Sequence, residues 1–156
     1  MSGAKDLVER ASATGIVIAT AESCTGGMIS AAITDITGSS RVLDRGFVTY
    51  SNAAKMDMLG VFAETLETHG AVSEQVAAEM AAGALKHSNA TLTVSVTGIA
   101  GPGGSDFKPE GRVCFGIATQ NSVETQQIDF GPLGRAGVRS ATVTHALELL
   151  MQKLSI

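Results

Sequence analysis

Tryptophan is absent from this chain, and tyrosine occurs once, at Tyr50. Surfaces that stack single-stranded bases need several aromatic rings, so that mode of nucleic-acid binding is excluded. Basic runs are missing too. The 11 Lys and Arg residues are scattered among 15 Asp and Glu residues, giving a net charge of −4, the opposite of the footprint that phosphate backbones select. Two cysteines, Cys24 and Cys114, are too few for a disulfide framework and fit a reducing cytoplasm. No apolar stretch approaches the roughly 20 residues of a bilayer span, which argues against a membrane partner. The opening segment MSGAKDLVERASATG reads as a polar helix and not as a signal peptide. Charged residues make up only 17% of the chain, yet 44% is hydrophobic, so the composition is not that of a disordered protein. The expectation is one cytoplasmic domain over residues 1–156.

Glycine, by contrast, is plentiful. Its 18 copies cluster at Gly26-Gly27 and across Gly98 to Gly104, which marks local devices within ordered structure. Helical spacing of Leu7, Val8 and Ala11 predicts a helix from Lys5 to Thr14. The apolar run Gly15 to Thr20 predicts a strand buried on both faces. A polar segment, Glu22 to Gly27, then leads to a helix over Met28 to Ile36. A second strand is expected over Asp44 to Ser51, followed by a helix over Ala53 to Leu59 with Asn52 as its cap. Ser73 is expected to cap a helix running to about His87, with Val76, Met80 and Ala84 as its core stripe. Thr91 to Thr97 alternates as a strand. Arg112 to Gln120 and Val123 to Phe130 flank Asn121-Ser122 as a hairpin. A last helix spans Gly134 to Leu154. This order predicts an α/β fold with a mixed sheet covered on both faces.

Three segments carry chemistry. The first, Ala21-Glu-Ser-Cys-Thr-Gly-Gly27, links a buried strand to a helix, where ligands of open α/β sheets sit. Ser23 or Cys24 there can serve as a nucleophile, and the alternative is an N-cap with a tight turn. Serine needs a base, and cysteine needs a positive neighbour. His69, His87 and His145 lie in or beside predicted helices without a motif and read as solvated. Their spacing also fails the usual zinc patterns, so no metal is expected. In the second segment, Tyr50 to Lys55, the lysine falls in the first turn of a helix, whose positive end disfavours an ammonium. If buried, such a lysine turns neutral and can deprotonate a serine; otherwise it is solvated. The third segment, Thr97 to Gly104, lacks the features of a Walker loop or a dinucleotide fingerprint, but its backbone can form an anion nest. Arg135 and Arg139, four residues apart, share a helix face and suit a phosphate.

Taken together, several ordered motifs resemble the CinA C-terminal domain family: Ala21 to Gly27, Gly38-Ser-Ser40, Arg45 to Asn52 with Lys55, Gly70 to Ser73 and Thr97 to Pro102. The resemblance covers nearly the whole chain. It implies a three-layer α/β/α sandwich with a mixed, mostly parallel central sheet. The loop between Gly101-Pro102 and Lys108-Pro109 is slightly shorter here than in the family. The activity implied is hydrolysis of the carboxamide of nicotinamide mononucleotide to nicotinic acid mononucleotide and ammonia. By the same resemblance Ser23 and Lys55 form a catalytic pair. Tyr50 joins them as a third catalytic residue of the pocket, and Thr97 and Arg139 bind substrate there, with Thr25, Gly26, Gly27, Gly98 and Gly101 in the loops that contact it.

Amide hydrolysis requires a nucleophile, proton transfer and charge stabilisation, so no cofactor is expected. The backbone amides near Thr25 to Gly27 are the expected oxyanion donors. Two other readings compete: a nucleotide-binding or regulatory module without catalysis, and a thiol amidase using Cys24. The expected partners are further copies of the chain and a small nucleotide, its phosphate held by Arg139 and the Gly98 to Gly104 backbone, with Arg135 as the alternative.

Overall fold

The computed structural model describes residues 2–105 and 107–154. Its centre is a five-stranded sheet in the order β2-β1-β3-β4-β5. The strands are β1 (Ile18–Glu22), β2 (Leu43–Val48), β3 (Leu92–Gly98), β4 (Arg112–Thr119) and β5 (Ser122–Asp129). β1 pairs parallel with both β2 and β3, and β4 runs antiparallel to β3 and β5. Four of the five strands therefore share a direction, and the sheet is mixed and mostly parallel.

Helices cover both faces. On one side α1 (Ser2–Thr14), α2 (Met28–Thr34) and α6 (Gly134–Leu154) pack Leu7, Ile29, Ile33, Val138 and Leu150 onto Ile18, Val94, Val96 and Phe115. On the other side lie α3 (Asn52–Leu59), α4 (Ala63–His69) and α5 (Glu74–Lys86). There Leu59, Leu66, Val76 and Met80 pack against Ala21 and Phe47. The alternation of β3 does not mark a wet face, because Leu92 to Thr97 are all buried. Instead its hydroxyls turn towards α5. Thr93 donates to the Ala81 carbonyl at 2.7 Å, and Ser95 to the Ala77 carbonyl at 2.6 Å. These two buried hydroxyls thus find acceptors on α5.

Several expected boundaries move. β1 starts at Ile18 and continues through Glu22, so the first residue of the polar segment is strand. Ser51, not Asn52, caps α3 by accepting the Ala54 N–H at 3.0 Å. Ser73 does cap α5, accepting the Val76 N–H at 3.2 Å. α4 was not expected from the sequence, because its apolar pattern is short and Leu66 is its only buried residue. The β4–β5 turn is Gln120-Asn121, one residue earlier than predicted, since Thr119 pairs with Ser122. His145 is not solvated. Its ring packs edge-on at 4.7 Å from Phe115, and it hydrogen-bonds to Gln126.

Candidate active site

β1 and β3 are neighbours, but the chain leaves β1 for α2 on one face and arrives at β3 from α5 on the other. Open α/β sheets bind ligands at this kind of reversal, beyond the carboxyl ends of the strands. Ser23, the residue after β1, is tied to it directly: its N–H donates to the Val96 carbonyl of β3 at 3.0 Å.

The turn that follows is organised by a buried acid that the sequence had not marked. Glu22 is fully buried, and its side chain reaches back to the start of α2. One carboxylate oxygen accepts from the Thr25 hydroxyl at 2.6 Å and the Ile29 N–H at 2.9 Å. The other accepts from the Ser30 N–H at 2.9 Å and the Thr20 hydroxyl at 3.3 Å. Negative charge at a helix N-terminus is favourable there and satisfies donors that lack intrahelical partners. Gly26 and Gly27 then take φ of 57° and 106°, left-handed values that side-chain-bearing residues adopt only at a cost. Together these features hold Ser23 at the end of the strand.

Lys55 reaches Ser23 from α3. Its Nζ donates to Ser23 Oγ at 2.9 Å and to the Thr49 carbonyl at 3.0 Å. The side chain is 2% exposed, and among the described residues no ion pair involves it. Burial pushes its pKa below the ordinary lysine value of 10.5, against a small opposing effect from Cys24. An amine without a counter-ion in a dry site is driven towards its neutral form. The pair therefore has the geometry and the protonation preference of nucleophile and base.

Cys24 sits beside Ser23, but burial raises its thiol to about 11. The thiolate needed for attack is scarce at neutral pH. The sulfur packs within the larger apolar core, which is where it contributes.

A cleft of about 360 Å³ opens over Ser23 and Cys24. Its walls are Tyr50, Gly98 to Ser105 and Arg135. Tyr50 is 61% exposed, and its hydroxyl accepts from Arg135, which also donates to the Gly101 carbonyl at 2.8 Å. Of the expected pocket residues, Gly98, Gly101 and Tyr50 line this cleft. Thr25, Gly26, Gly27, Thr97 and Arg139 do not. The Thr97 hydroxyl donates to the Ala71 carbonyl at 2.9 Å. Arg139 holds the turn after Ser23, donating to the carbonyls of Cys24 at 3.0 Å and Thr25 at 3.3 Å. Arg135, the other arginine of the pair, is the one that faces the cleft. A spacing of four residues puts both on one helix face and cannot tell which reaches the opening. Among the described residues, no group of three or more His, Cys, Asp or Glu side chains could hold a metal ion. No helix among them is long and apolar enough to cross a membrane.

The fold and the pair define a class: an α/β/α sandwich with a serine and a buried lysine at the switch point of its sheet. The chain belongs to the CinA C-terminal domain family, whose model matches residues 2–154. It is 51% identical over 142 residues to the nicotinamide-nucleotide amidohydrolase PncC of Escherichia coli K12, covering 90% of this chain and 86% of that one. It is 46% identical over 149 residues to a putative competence-damage inducible protein of Caldicellulosiruptor saccharolyticus, covering 95% of this chain but 36% of that longer one. Among solved structures, competence/damage inducible protein CihA from Agrobacterium tumefaciens aligns with a TM-score of 0.91 at 50% identity, over 99% of this chain and 96% of that one.

Proposed function

We propose that this protein is a nicotinamide-nucleotide amidohydrolase, converting nicotinamide mononucleotide and water to nicotinic acid mononucleotide and ammonia. The observation that carries the reading is the 2.9 Å contact between Ser23 Oγ and the Nζ of a buried Lys55 that has no ion-pair partner among the described residues. High identity to the amidohydrolase from E. coli supports the substrate.

In this reading Ser23 Oγ attacks the carboxamide carbon as its proton passes to neutral Lys55. The carbonyl oxygen becomes an oxyanion beside the turn after Ser23. The Gly26 N–H is committed to the Ser23 carbonyl at 3.1 Å, so the remaining amides of that turn are the donors. Each such donor is worth roughly 3–4 kcal/mol in a well-studied case. Collapse breaks the C–N bond, and Lys55 returns its proton to the departing nitrogen, which leaves as ammonia. Water, deprotonated by Lys55, then splits the acyl-enzyme ester, releasing the carboxylate product and restoring Ser23. Thr49 aids the base by fixing the amine through its carbonyl.

In the same cleft Arg135 meets the phosphate. It is the only Lys or Arg among the lining residues, and its paired donors match phosphate geometry. Arg139 serves the reaction indirectly by holding the turn.

The test is ammonia release from nicotinamide mononucleotide by purified protein and two variants. Turnover is expected in wild type and in Cys24→Ala, and none in Ser23→Ala. A wild type that binds the nucleotide without releasing ammonia supports the non-catalytic module. Activity lost in Cys24→Ala and kept in Ser23→Ala supports the thiol amidase.

A further inference from the structure

The glycine-rich wall of the cleft carries backbone N–H groups that could serve an anion, yet one of them is already engaged within the chain. Glu110 Oε1 accepts the N–H of Gly103 at 2.8 Å, and Oε2 accepts the N–H of Gly134 at 2.9 Å. One carboxylate thus joins the wall to the first residue of α6. Arg135 is the next residue of that helix, and its guanidinium donates back to the same wall at the Gly101 carbonyl. The site is built to admit the acid: a Cβ on Gly101, whose φ is +91°, would lie 2.6 Å from the Glu110 carboxyl carbon. Charge-assisted bonds to two backbone donors are stronger and better aligned than neutral ones.

We infer that Glu110 is a positioning residue for phosphate recognition: its carboxylate locks the Gly101–Gly103 wall to α6, so that Arg135 is held at the phosphate end of the cleft. This inference rests on the amidohydrolase reading. It also explains a division of labour. Glu22 fills the donors at the start of α2 and Glu110 fills Gly103, while Arg135 is the cationic side chain lining the cleft. Glu110 touches neither the reacting amide nor, by this account, the phosphate. Its loss should loosen binding of the phosphate-bearing substrate and leave the chemical step alone.

Glu110→Gln, Glu110→Asp and Glu110→Ala separate position from charge. Gln keeps the length but turns an amide N–H₂ towards one of the two donors. Asp keeps the charge but is one methylene too short to bridge both. Positioning predicts that all three raise KM for nicotinamide mononucleotide, the Ala variant by roughly tenfold, with kcat changed less than about twofold. The same variants should leave kcat/KM for nicotinamide riboside, which lacks the phosphate, at the wild-type value. Calorimetric binding of the mononucleotide to each variant in a Ser23→Ala background gives the same comparison without turnover. A KM lowered by Gln and unchanged by Asp would show a purely electrostatic role and overturn the inference. Unchanged binding and kinetics with a lower melting temperature would reduce Glu110 to a structural clip and overturn it as well. A wild type that neither binds nor hydrolyses the mononucleotide defeats the amidohydrolase reading itself, whereas variant effects are scored only against a wild type that does.

Discussion

Ser23 and Lys55 are separated by 32 positions and meet at 2.9 Å. Ser23 directly follows β1 and Lys55 lies in the first turn of α3, after β2, and that placement was readable from the order of apolar runs and polar segments. Their contact was implied by the family resemblance and not by the residues alone, since it depends on β1 and β2 being neighbours. The arginines make the converse case. Arg135 and Arg139 were both visible as a phosphate-suited pair, but only the packing of α6 against the nucleophile turn decides which one faces the cleft. Their substitution should separate the roles. Arg135→Lys is expected to raise KM for nicotinamide mononucleotide about tenfold, near 1.4 kcal/mol, with little change in kcat, because a lysine cannot reproduce the paired donors. Arg139→Lys is expected to lower kcat more than it raises KM, because the carbonyls of Cys24 and Thr25 lose their shared donor. Steady-state kinetics on the two variants checks both, and the reverse pattern would restore Arg139 as the clamp.

At the scale of elements, α2 depends on a residue outside it. Glu22 belongs to β1, yet it satisfies two N–H groups of the helix and two hydroxyls. Its polar character made it look like loop in the sequence, because a fully buried acid inside a strand is rare. Only the helix N-terminus above it makes that burial tolerable. Glu22→Ala should therefore destabilise the protein by about 3 kcal/mol, leaving buried donors without an acceptor. Glu22→Gln should cost less, since one oxygen remains to accept. Chemical denaturation of the variants measures this, and an unchanged midpoint for Glu22→Ala would remove the acid from its structural role. The hydroxyl-bearing face of β3 was misleading in a similar way. Its alternation resembles a half-solvated strand, and the acceptors on α5 that bury it lie in a different part of the chain. α4 went unread because one buried leucine makes too weak a stripe.

Across the whole molecule, the layers and the direction of most strands followed from helices alternating with buried strands. The strand order did not, because nothing local says that β3 returns to the far side of β1. That return creates the cleft. Lys55 is buried beside Ser23, with a consequence for stability. The unfolded lysine titrates near 10.5 and the folded one lower. Between those two values the unfolded chain binds more protons, so stability rises with pH across that window. Below the folded value both states are protonated and the full penalty of burying the charge remains. Lys55→Met removes the penalty at every pH. Its melting temperature should exceed that of wild type most at the lower end, with the gap closing as pH climbs towards 10.5. A gap that stays constant would mean that Lys55 is not depressed.

The most direct measurement is the pH dependence of kcat/KM for ammonia release from nicotinamide mononucleotide, in wild type and in Lys55→Arg. A limb that rises with pH to a plateau is expected, with its midpoint below the ordinary lysine value, because only the neutral amine can take the Ser23 proton. In Lys55→Arg the guanidinium stays protonated, and activity should fall by about a thousandfold or more at every pH. A flat wild-type profile, or a Lys55→Arg variant that keeps wild-type activity, would contradict the serine–lysine mechanism.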